Sequence, residues 1–64
     1  METRNYYVPR SHYAKMVIDR IVCLVPCCVP NITPKGYDCL VVSFTCHPRY
    51  YSIVETVLKQ EGWL

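Results

Sequence analysis

All five cysteines of this 64-residue chain lie between Cys23 and His47, in the pattern C-x3-C-C-x10-C-x6-C-H. Thiols gathered in this way can bind a metal, form disulfides, carry a lipid, act as nucleophiles or fill a core. Structural zinc sites bring two closely spaced ligand pairs, such as C-x2-C, onto one ion. Here the second close pair is missing. Cys39 and Cys46 are seven positions apart, so on a strand they face opposite sides of the sheet and cannot share an ion. The spacing predicts no metal site.

An odd number of cysteines leaves one unpaired in any intramolecular disulfide scheme. The opening Met-Glu-Thr-Arg-Asn-Tyr-Tyr lacks the apolar core of a secretory leader. Both point to a reducing compartment, the cytoplasm of the producing or a host cell, where thiols stay reduced. Cys27-Cys28 beside the apolar run Ile21 to Ile32 has the form of an S-palmitoylation site, although a packed connector explains the pair more simply. That run is too short for a spanning helix and is broken by prolines.

Nucleophilic chemistry would fall to Cys46, at a strand end just before a helix, where a thiol's pKa is lowered. The geometry resembles that of cysteine phosphatases, which cradle phosphate in a loop of free N–H groups between cysteine and arginine. In Cys46-His47-Pro48-Arg49 the loop is too short, and Pro48 has no N–H. His47 follows Cys46 directly, so the two side chains diverge on an extended backbone and form no nucleophile–base pair. The expectation is therefore a non-enzyme with no catalytic residue and no cofactor, whose cysteines fill space in a thin core.

Elements that would hold these residues can be read from periodicity. Residues 3–8 alternate as a strand, with Tyr6 and Val8 on one face and Asn5 and Tyr7 on the other. A helix over 12–24 places Ala14, Val17, Ile18, Ile21, Val22 and Val25 on one stripe, with Ser11 as N-cap and Pro26 as stop; the β-branched stretch 21–25 could instead extend as a strand. Residues 26–36, rich in proline, read as an extended connector closing in a turn at Thr-Pro-Lys-Gly. The clearest strand is 37–46, with Leu40, Val42, Phe44 and Cys46 facing the core. A last helix over 48–61 starts at Pro48, carries Tyr50, Ile53, Val54, Val57 and Leu58 inward, and ends at Gly62 with Trp63 folding back. The chain reads as one small two-layer α+β domain over residues 1–64, two helices packed on a two- or three-stranded sheet, with a right-handed first crossover if its strands are parallel neighbours.

Composition bears on what such a domain does. Hydrophobic residues make up 52% and charged residues 19%, which is apolar for a body this small and leaves apolar area for a partner. An open sheet edge adds a reason to associate, so a homodimer or a stable complex with a larger protein is expected. Tyrosines interleave with basic residues, and Arg4, Tyr6, Tyr7, Arg10, Tyr13, Arg49 and Tyr51 are the expected contact residues, because tyrosine and arginine dominate interface hot spots. The same mixture could stack on bases and pair with phosphates, but a net charge of +2 supplies few phosphate contacts. The leading reading is a small binding protein that inhibits or regulates a larger protein, of the motif-poor size class that phages and mobile elements use against a host machine. A small RNA- or DNA-binding regulator using the N-terminal segment is the alternative.

Overall fold

Cys39–Cys46 carries Leu40, Val42, Phe44 and Cys46 at alternate positions with no proline or glycine to interrupt it, and this strand is the centre of the fold. The computed structural model describes every residue from Met1 to Leu64. Its elements are β1 (Glu2–Pro9), α1 (Ala14–Leu24), β2 (Val29–Lys35), β3 (Cys39–Cys46), a 3-10 turn at Pro48–Tyr50 and α2 (Tyr51–Gln60). The sheet order is β1-β3-β2, with β3 antiparallel to both neighbours. Two helices on a three-stranded sheet make a small α+β domain, as the sequence predicts.

Two details differ from the sequence reading. Residues 29–35 are a strand rather than part of an extended connector, and the turn falls at 36–38, after the Thr-Pro-Lys-Gly motif has begun. The two strands expected at 3–8 and 37–46 are neighbours, β1 and β3, but they run antiparallel, so the condition for a right-handed parallel crossover is not met. The helix does run to Leu24 as expected, and of the stretch that could have extended as a strand only Val25 turns extended, at φ −112° and ψ 117°. Pro26 forces that exit, because the residue before a proline is pushed out of the helical region.

One core cluster joins the layers. β1 gives Tyr6 and Val8, β3 gives Val42, Phe44 and Cys46, α1 gives Val17, Ile18 and Ile21, and α2 gives Tyr51, Val54, Val57 and Leu58. No residue of β2 is buried. Both helices therefore lie on one face of the sheet, with α1 passing close to β2. The Tyr51 hydroxyl reaches the carbonyl oxygens of Phe44 and Glu2, 2.6 Å from each, and ties α2 to both strands. α2 ends as expected: Gly62 adopts φ 76°, its N–H bonds to Lys59 and that of Trp63 to Leu58, the paired closure that satisfies the last carbonyls of a helix.

The cysteines divide. Cys28 and Cys46 are buried, Cys39 is half-buried, and Cys23 and Cys27 are exposed, so core filling accounts for only part of the set. Cys39 and Cys46 do face opposite sides of β3. No helix is long and apolar enough to cross a membrane.

Candidate binding surface

The pairing pattern decides which face and which edge are free. Pro30 and Pro34 stand in an unbroken ladder from Val29 to Lys35, yet neither has an N–H to give. Their main-chain groups, with those of Ile32, must therefore point to the outer edge, and the odd-numbered residues of β2 carry the bonds to β3. Odd-numbered residues of β3 then bond to β2, and even-numbered ones to β1. Side-chain distances agree: Thr3 meets Thr45 at 2.8 Å and Ser43 donates to Asn5 at 2.6 Å, as expected where opposed residues exchange no main-chain bonds and side chains approach most closely.

Opposite the helices lies a bare sheet face. Thr3, Asn5, Tyr7 and Pro9 of β1, Cys39, Val41, Ser43 and Thr45 of β3, and Val29, Asn31, Thr33 and Lys35 of β2 form it, and none of them is buried. Its middle is a polar row, Asn5–Ser43–Asn31. One end is aromatic and basic. Tyr7 is 59% exposed, and the Lys35 ammonium sits 5.0 Å from the centre of its ring. Arg10 closes the same end: its N–H bonds to Asp38 and its guanidinium donates to the Gly36 carbonyl at 3.4 Å. Tyr37, at the tip of the β2–β3 turn, is 94% exposed. Nothing in the fold explains so exposed a tyrosine.

The seven expected contact residues do not form one surface. Tyr7 and Arg10 lie at this end of the bare face. Tyr6 and Tyr51 are core residues, which corrects their assignment as contacts; each sits on the inward side of its element. Tyr6 donates to Glu55 at 2.9 Å, and burial first, then the bond and charge of Glu55, push its hydroxyl up to about 12. Arg4 belongs with them: its guanidinium covers the Tyr51 ring at 4.3 Å and pairs with Glu2 at 2.6 Å and Glu55 at 3.7 Å. Tyr13 stacks on Trp63 in the helical layer, with ring centres 5.9 Å apart. Arg49 lies over Tyr50 just after β3, at the far end of the sheet from Lys35.

Sequence reasoning missed Lys35 and Tyr37. Both lie in or beside the segment read as a connector, where the alternation Val29, Asn31, Thr33, Lys35 was available but prolines at alternate positions hid it.

Cys46 is fully buried. Burial, with Cys46 beside it, pushes the Cys28 thiol up to about 11, away from the thiolate form that a nucleophile needs. No three His, Cys, Asp or Glu side chains converge as metal ligands. A groove of about 300 Å³ between the end of α1 and α2 is lined by Leu24, Ser52, Ile53, Thr56, Val57 and Gln60, none of them titratable at neutral pH. The chain matches no protein-family model, no curated protein and no solved structure.

Proposed function

We propose that this protein is a non-enzymatic binding module that docks a larger protein on the bare face of its sheet and thereby inhibits or regulates it. The observation that carries this reading is the exposed cluster of Tyr7, Arg10, Lys35 and Tyr37 at one end of a sheet face that no element covers. Tyrosine and arginine supply large contact area with a hydrogen-bonding end, and β1 and β2 hold Tyr7 and Lys35 in place at low entropic cost. The basic side chains favour a partner surface with acidic groups. Val41, Thr33 and the Asn5–Ser43–Asn31 row extend the contact along the strands.

Single-stranded nucleic acid would use the same aromatic and basic groups. Two cations at one end of the face match few phosphates, and Arg10 already donates to Gly36, so a protein partner is favoured. Affinity capture with the immobilised chain, with and without nuclease and at low and high salt, separates the two. A discrete protein retained under every condition supports the proposal. Retention of nucleic acid alone, lost at higher salt, overturns it.

A further inference from the structure

The two outer edges of the sheet are not equivalent. On the β2 edge the outward positions are Pro30, Ile32 and Pro34, so two of three N–H groups are missing. On the β1 edge the outward main-chain groups belong to Thr3, Asn5 and Tyr7, which keep both N–H and C=O, and to Pro9 at the strand end, which keeps only its C=O. No backbone bond outside the strands uses any of them, and no side chain bonds to them. One edge is blocked by proline and the other is open over most of an eight-residue strand.

We propose that β1 pairs with β1 of a second copy, antiparallel about a two-fold axis at Asn5, to make a closed dimer with a six-stranded sheet. The register follows from the chemistry of the edge. Only residues with outward main-chain groups can exchange bonds, and setting Asn5 opposite Asn5 of the second copy also sets Thr3 opposite its Tyr7 and Tyr7 opposite its Thr3. Both main-chain groups of all three residues are then used.

Side chains agree with this register. On the helical side Arg4 meets Tyr6 of the second copy, beside the Glu55 carboxylate to which that tyrosine donates, and Glu2 meets Val8; no like charges are directly opposed. On the bare face the polar row becomes continuous, Asn31–Ser43–Asn5 meeting its symmetry copy. The prolines of β2 stop growth there, so the assembly closes at two instead of extending into a fibre. This pairing does not rest on the docking proposed above, because it uses the edge of β1 and leaves the bare face open.

Sedimentation equilibrium between micromolar and millimolar concentration, joined to amide exchange, tests it. A monomer–dimer equilibrium is expected, with the amides of Thr3, Asn5 and Tyr7 gaining protection as the dimer forms. Asn5→Pro removes the central N–H at an outward position, where β2 shows that proline is accommodated, and should weaken association about tenfold or more. Asn5→Lys and Asn5→Asp should each be monomeric and should form a mixed dimer when combined, since opposed like charges repel and unlike charges attract. A protein monomeric throughout, or a dimer indifferent to all three substitutions with those amides unprotected, would overturn the proposal.

Discussion

Lys35 and Tyr7 sit on the two outer strands of the sheet and meet across the central one, the ammonium 3.3 Å from the tyrosine hydroxyl. Cys39 and Val41 of β3 lie beneath the bridge. A cation over an exposed ring is worth only about 0.5–1 kcal/mol, so this contact orders two side chains without fixing the fold. Lys35→Ala is expected to leave the melting temperature within a few degrees of the parent, read by circular dichroism.

Adjacent residues of β1 should differ sharply. Tyr7 points to the bare face and Tyr6 to the core, so Tyr7→Ala is expected to cost under about 1 kcal/mol and Tyr6→Ala about 3–5 kcal/mol. Denaturant midpoints with unchanged slopes give the comparison. Equal losses would contradict the placement of the strand.

How far the sequence discloses this arrangement depends on what interrupts each period. β3 is legible because no proline or glycine interrupts it and every even-numbered position from Leu40 to Cys46 is apolar, and its expected inward residues are half-buried to fully buried. α1 is legible from Ala14, Val17, Ile18 and Ile21, all buried. β2 is not, because Pro30 and Pro34 are strand breakers in a central strand and edge protection in an outer one, and only the pairing shows which applies. The contact set fails for a related reason: a tyrosine reads alike whether its ring packs inward under a hydrogen-bonded hydroxyl, as in Tyr6 and Tyr51, or lies outward, as in Tyr7. Ile53, expected inward, is 36% exposed, whereas Val54, Val57 and Leu58 are buried as expected and Tyr51 is buried with them.

Removing one oxygen tests the tie between layers. Tyr51→Phe keeps the buried ring but deletes the donor shared by the Phe44 and Glu2 carbonyls, at a cost of about 1–2 kcal/mol. Faster amide exchange at the Glu2 end of β1 should accompany the loss. An unchanged melting temperature would show that the strands do not need this bond.

Alkaline pH should destabilise the fold in a defined window. Cys28 is raised from 9.0 to about 11, by burial first and then by Cys46; Tyr6 is raised from 10.0 to about 12; and Tyr51 is raised as well, by burial first. The unfolded chain releases these protons before the folded chain does, so their contribution is complete below about pH 9 and is lost between 9 and 12. Under reducing conditions, Cys28→Ala should flatten the part of the stability profile between pH 9 and 11; a profile identical to the parent's would contradict the burial of that thiol.

The most direct test of the proposed function compares capture by two variants of the full chain. Tyr7→Ala with Lys35→Glu strips the bare face, whereas Arg49→Ala removes an exposed arginine at the far end of the sheet. After nuclease treatment and at high salt, the parent and Arg49→Ala should retain the same discrete protein with similar affinity, and the double variant should lose it while remaining folded. Undiminished capture by the double variant, or loss with Arg49→Ala alone, would contradict a binding role for the bare face.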